Sequence, residues 1–161
     1  MRIHISVKQK SIVIDRRRLR KAAKSILSAL GYTEAELSIV IGDDAFITRL
    51  NQDYRGVEGP TDVLAFAMHD GDYADVCADL LGDVVISAAT AQTMAVEHHC
   101  PFDAVLDLLL THGVLHLVGY DHEGSRAEAY AMDDKTLNLL ELLGHSPDVF
   151  EWYRATGAAT P

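Results

Sequence analysis

Residues 2–7, Arg-Ile-His-Ile-Ser-Val, alternate apolar and polar with period two, which predicts a half-buried strand. Ser11-Ile-Val-Ile14 reads as a strand end or a turn into the next element. The period then changes. Leu19, Ala23, Ile26, Leu27 and Leu30 fall at i, i+4, i+7, i+8 and i+11, one face of a helix over 16–30, with Asp15 as its N-cap and Gly31 just past its end. Arg17, Arg20, Lys21 and Lys24 fall on the opposite face. Leu37–Ile41 predicts a second strand, stopped by Gly42-Asp-Asp44, and Asp43 or Asp44 caps a short helix carrying Phe46, Ile47 and Leu50. Gly and Pro mark residues 55–60 as a loop. Thr61–Phe66 and Gly82–Ser87 predict the third and fourth strands. Ser87 is placed to cap a helix over 88–98. Pro101 suits the first turn of another, which runs to Val118 and stops at Gly119, and a last helix covers 125–143 before Gly144.

Strands and helices alternate only loosely, and the helices gather toward the end. That order predicts an α+β fold rather than a regular βαβ winding. A chain of 161 residues is one domain's worth. Residues 1–155 are expected to form a single catalytic domain, with the small, Ala-rich 156–161 as a frayed tail. An apolar fraction of 48% argues against disorder. No run reaches the roughly 18–20 apolar residues of a membrane span; the longest, Ala104–Val118, is broken by Asp107, Thr111, His112 and His116. The N-terminus lacks a secretory pattern, so a cytoplasmic location is expected. Cys77 and Cys100 are too few for a disulfide framework and too far apart for a Cys-x-x-Cys site.

The formal net charge of −10 speaks against a polyanionic partner until it is divided along the chain. Nine of the fourteen Lys/Arg side chains stand in residues 1–24 against Asp15 alone, a local charge of +8 that leaves −18 for the remainder. Such asymmetry permits nucleic-acid contact along one face. The acidic stretch 69–79, with Asp70, Asp72, Asp75 and Asp79 around Gly71, is either a solvated loop or an ion site, but its spacing does not fit an EF-hand. His98-His99 is a decoy, since adjacent helical residues point about 100° apart; a surface or C-capping role suits the pair better.

The densest chemical signal is Thr111-His-Gly-Val-Leu-His-Leu-Val-Gly-Tyr-Asp-His122. His112 and His116, four apart on a predicted helix, share one face. They extend the stripe Val105, Leu108, Leu109, so both point inward. Gly119 allows a left-handed turn that brings His122 back toward them. His-x-x-x-His-x-x-Gly-x-x-His is the spacing of the metzincin zinc site. Three neutral imidazoles with one open position make a catalytic rather than a structural arrangement. Zinc suits the set best, though Ni²⁺ and Cu²⁺ also take imidazole. Zincin proteases place a glutamate directly after the first histidine as general base; here that residue is Gly113. The site reads as hydrolytic but not proteolytic. Asp121 and Glu123, which flank His122, could orient imidazoles, act as bases or simply shape the turn.

The segment His112-Gly-Val-Leu-His-Leu-Val-Gly-Tyr-Asp-His122 closely resembles the signature of the YbeY family of rRNA maturation endoribonucleases. Leu50-Asn-Gln-Asp-Tyr-Arg55, Pro60-Thr-Asp-Val-Leu-Ala-Phe66 and Leu81-Gly-Asp-Val-Val-Ile-Ser87 follow the family pattern in the same order, so the resemblance covers residues 35–143. Ala65-Phe-Ala67 departs from the usual Ser-Phe-Pro, and Thr136 stands where the family often has Glu. The resemblance implies a zincin-like α+β fold, a mixed sheet of about four strands packed with about five helices, and one zinc ion held by His112, His116 and His122. It also implies a zinc-dependent, single-strand-specific endoribonuclease in small-subunit rRNA 3′-end maturation and ribosome quality control, with His112, His116 and Arg55 as catalytic residues. Its partners would be single-stranded rRNA, the small ribosomal subunit and its assembly factors, with no membrane. An Arg55 guanidinium can hold phosphate oxygens bidentately while charge builds in phosphoryl displacement. The basic helix face would track the RNA backbone, and Tyr54 or Tyr120 would stack on bases unless, as is commoner, they are core residues. Two other readings stay open: an assembly factor that binds RNA and carries a structural metal, and a zinc hydrolase of small or peptide substrates.

Overall fold

The computed structural model of the protein describes residues 1–56, 61–68, 80–121 and 124–153, apart from the Arg55 side chain. Four strands, β1 (Arg2–Val7), β2 (Glu36–Gly42), β3 (Val63–Ala67) and β4 (Leu80–Ser87), form one sheet in the order β1-β2-β4-β3. β1 and β2 are parallel, as are β2 and β4, while β3 runs antiparallel along the far edge of β4. Five helices accompany it among the described residues: α1 (Arg16–Ala29), α2 (Asp44–Arg55), α3 (Ala88–Glu97), α4 (Phe102–Leu117) and α5 (Arg126–Leu142). This is the expected α+β class, a mixed four-stranded sheet with the helices weighted toward the C-terminus.

The period-two pattern divides the sheet into two faces. Leu37, Ile39 and Ile41 of β2 join Val84 and Ile86 of β4 and the apolar side of α1 and α4 in the main core. The alternate residues Val40, Leu64, Phe66 and Val85 face α2 and its Ile47, Phe46 and Leu50. α4 is the central helix. It packs on β3, β4, α1, α3 and α5, and every residue from Ala104 to Thr111 is buried. A one-sided stripe was the expectation; a helix covered by neighbours on several sides has to be apolar nearly all round.

Caps begin and end the helices where the chain's small polar residues and glycines fall. Asp15, Asp43, Ser87 and Ser125 each accept a hydrogen bond from the backbone N–H three residues on. Pro101, expected inside the first turn of α4, instead occupies its N-cap position in an extended conformation, with φ −63° and ψ 146°. α2 is longer than expected, with twelve residues. It takes in Arg55, which the Gly and Pro content of 55–60 placed in a loop, because Gly56 at φ +67° provides the left-handed stop one residue later. Ser87 Oγ and Thr90 Oγ1 both donate to Asp44 Oδ1, at 2.5 and 2.7 Å, which ties the start of α3 to the start of α2.

After α5 the chain returns to the core. A 3₁₀ turn over Pro147–Phe150 folds back, and Phe150 is buried with Ala104, Leu108 and Leu140, with Trp152 and Tyr153 packed beside them. Sequence periodicity misses this segment because a single turn has no period to read. The acidic 69–79 stretch and the 156–161 tail lie outside the described residues.

Candidate metal centre and active site

α4 carries the first two histidines of the triad to one place. His112 and His116 stand one turn apart near its C-terminal end, both half-buried, with their Nε2 atoms 3.2 Å apart and ring centroids at 4.7 Å. Two nitrogen ligands of a tetrahedral zinc ion at about 2.0–2.1 Å stand about 3.3 Å from each other, so the donor pair fits the bite of one ion. Without an ion, the same spacing lets one neutral ring donate to the other. The C-terminal end of a helix also carries partial negative charge, which favours a cation there.

The turn that follows is built as the glycine spacing implies. Gly119 takes φ +104°, its N–H donates to His116 O at 3.2 Å, and Tyr120 N–H donates to Leu115 O at 2.9 Å. These are the paired bonds of a Schellman stop, which reverses the chain just before the third histidine. His122 and Glu123 lie outside the described residues. The structure therefore brings together two of the three expected ligands. Asp121, which follows this turn, is exposed.

Tyr153 is the member of the site that sequence reasoning missed. Its hydroxyl lies 3.0 Å from His112 Nδ1, delivered there by the folded-back segment behind α5. A histidine that coordinates through Nε2 carries its proton on Nδ1, and the phenol oxygen of Tyr153 stands where that proton must go. Burial raises the Tyr153 pKa, and the negative charges of Asp133 and Asp62 add to the shift; the group stays a neutral hydroxyl at physiological pH. The available signal was the pair Trp152-Tyr153 just before an otherwise small, Ala-rich tail. His98 is the C-cap of α3, in line with the capping role expected for the pair, and its ring also stacks on Trp152 at 3.9 Å with the rings 5° from parallel, which braces this segment.

Gly113 has a packing reason. A Cβ there would meet Val84 Cγ1 at 2.7 Å and Val63 Cγ2 at 3.3 Å. α4 lies so close to β3 and β4 that a zincin-type glutamate has no room at this position. The sheet contact that buries α4 therefore removes the peptidase base.

Arg55 ends α2 on the opposite face of the sheet from α4. Its neighbour Tyr54 is 70% exposed and meets Phe66 edge-on at 5.5 Å. The core reading of Tyr54 is thus corrected: its ring touches Phe66 of β3 and otherwise stands in solvent. Tyr120 is half-buried against the main core.

The chain is similar to known proteins. The family model described as Endoribonuclease YbeY matches residues 4–144, further toward the N-terminus than the motifs reach, because β1 and α1 carry a pattern rather than a signature. The chain is 49% identical over 144 residues to the Endoribonuclease YbeY of Geobacter sulfurreducens, covering 89% of this chain and 96% of that one. It is 44% identical to that of Syntrophotalea carbinolica, over 85% and 92% of the two chains. The solution structure of TM1509 from Thermotoga maritima superposes with a TM-score of 0.60 and 24% identity, over 88% of each chain, and so shares the fold. The chain belongs to the YbeY endoribonuclease family.

Proposed function

We propose that the protein is a zinc-dependent, single-strand-specific endoribonuclease of the cytoplasm that acts in small-subunit rRNA 3′-end maturation and ribosome quality control. Family membership supports the endoribonuclease activity. The observation that carries the metal-dependent form of the reading is the facing pair of His112 and His116 Nε2 atoms at 3.2 Å, with Tyr153 behind the first ring. His112, His116 and His122 would hold the ion. When bound, it supplies Lewis-acid polarisation of a phosphate oxygen and a water of lowered pKa.

The chain's own residues do the remaining work. Tyr153 holds the His112 ring in one orientation and one tautomer. Arg55 would neutralise the phosphoryl oxygens as charge accumulates, a role that rests on the family resemblance and not on its placement, since α2 packs on the sheet face opposite α4. Tyr54, exposed and braced by Phe66, offers a face on which an unpaired base stacks. A duplex keeps its bases stacked internally, so such a contact favours single strands.

The test is cleavage of a single-stranded rRNA fragment by nuclease-free protein. Cleavage is expected to disappear on chelation, return with zinc, and be absent in His112→Ala. Cleavage that survives both chelation and His112→Ala rejects the metal mechanism. Tight RNA binding with no cleavage under any metal would leave an assembly factor with a structural ion.

A further inference from the structure

α1 splits its basic residues into two sets with different fates. Arg18 turns inward: its Nη1 donates to Asp107 Oδ2 at 3.0 Å, and its Nε lies 3.4 Å from Asp103 Oδ2. Arg17, Arg20, Lys21 and Lys24 turn outward and, with Ser25 and Ser28, line a shallow concavity of about 450 Å³. Among the described residues none of these four cations pairs with a carboxylate. The concavity shares no residue with the histidine site.

We infer that this stripe of α1 is a second, non-catalytic RNA contact that holds the phosphate backbone of the substrate outside the cleavage site. The inference rests on the endoribonuclease reading above. The chemistry of the lining selects the occupant. Four cations and two hydroxyls, with no aromatic or aliphatic side chain among them, suit phosphate oxygens and offer nothing for a base to stack on. They also lack the apolar anchors on which protein interfaces depend. An anionic membrane fits poorly, because the apolar side of α1 (Leu19, Ala23, Ile26, Leu27) is wholly buried against the core and cannot enter a bilayer. From Arg17 to Ser28 the stripe is about 16 Å long, which spans several successive phosphates.

Charge over the whole molecule gives the stripe a purpose. Residues 1–24 carry +8 and the remainder −18, so a polyanion is repelled by most of the surface and drawn to this face. Binding here would register a long, structured RNA while a single-stranded segment reaches the histidines. It adds affinity for large substrates without taking part in bond cleavage.

Salt-dependent binding of the full-length protein reads this directly. Fluorescence anisotropy with a stem-loop RNA carrying a single-stranded tail would be followed across a salt series. The triple variant Arg17→Ala, Arg20→Ala, Lys24→Ala is expected to flatten the slope of log K against log[salt] by about 2 to 3, since each lost phosphate contact contributes about 0.7–0.9. It should raise KM for the long RNA and leave kcat on a short single-stranded oligonucleotide unchanged. Arg17→Lys with Arg20→Lys should keep the wild-type slope, because counterion release follows charge. An unchanged slope in the triple variant overturns the inference, as does loss of short-oligonucleotide cleavage in a variant with wild-type Tm. Wild-type binding to phosphatidylglycerol vesicles at the same salt overturns it in favour of a membrane surface. If the wild type cleaves no RNA, the enzymatic reading fails, yet the salt slope still reports whether the stripe binds RNA.

Discussion

At the scale of single residues, the site depends on a side chain that no motif marks. Tyr153 reaches His112 Nδ1 at 3.0 Å. Tyr153→Phe removes one hydroxyl while keeping the ring that packs beside Phe150 and Leu140. The variant should fold normally and lose about 10- to 100-fold in metal affinity, measured by competition with a chromophoric chelator. An unchanged affinity would reduce Tyr153 to packing. Tyr54 makes the opposite case, a residue named in advance but assigned to the wrong environment. Its 70% exposure predicts that Tyr54→Ala weakens single-stranded RNA binding by about 1–3 kcal/mol, and that Tyr54→Phe does not. Equal binding by wild type and Tyr54→Ala would assign the ring to the surface of the fold alone. The histidine spacing was legible because a helix converts i, i+4 into shared direction whatever the surroundings. Exposure of Tyr54 was not, because it depends on what packs against the end of α2, which is tertiary and carries no local period.

At the scale of elements, caps and charge pairs decide how the helices sit around α4. Asp107 is 2% exposed in the middle of α4 and accepts from Arg18 Nη1 at 3.0 Å and His145 Nε2 at 2.7 Å. The carboxylate thus joins α1, α4 and the turn after α5. Burial opposes the Arg18 charge, but the bond and charge of Asp107, with Asp103 and Asp15, outweigh it and hold its pKa above the ordinary value. Removing the guanidinium leaves the buried Asp107 carboxylate with one of these two partners, His145. Arg18→Ala should therefore cost about 3 kcal/mol, the low end for a buried pair since Arg18 is partly open to solvent. Chemical denaturation measures this, and a change below about 1 kcal/mol would show water replacing the guanidinium. The end of α3 predicts a gain. His99 holds φ +53° at the position where α1, α4 and α5 each have a glycine. His99→Gly relieves the left-handed strain of roughly 1–2 kcal/mol and loses part of that to unfolded-chain entropy. A net stabilisation of about 0.5–1 kcal/mol is expected, visible as a higher Tm. The capping residues could be read ahead because each acts within one turn; the partners of Asp107 could not, since they lie 89 and 38 residues away.

At the scale of the whole molecule, fold and site constrain one another. α4 is both the central helix of the core and the carrier of His112 and His116, so the facing histidine pair is fixed by the packing that makes the domain stable. The same close approach to β3 and β4 leaves Gly113 without room for a side chain, which accounts for a zincin-like histidine pattern that lacks the peptidase glutamate. Alternation and helical period were enough to place four strands and five helices. They could not show that the chain beyond α5 returns to complete the site, since the contacts of Phe150, Trp152 and Tyr153 are tertiary and carry no local period. No described helix is long and apolar enough to cross a membrane.

The central claim is that His112, His116 and His122 hold one ion between them. Elemental analysis of protein purified without a histidine tag tests it most directly, with the His112→Ala, His116→Ala double variant measured alongside. About one zinc per chain in the wild type and almost none in a folded double variant is the predicted result, as follows from three imidazole ligands around a single ion. A metal-free wild type that still cleaves RNA, or a double variant that keeps its full complement of zinc, would contradict it.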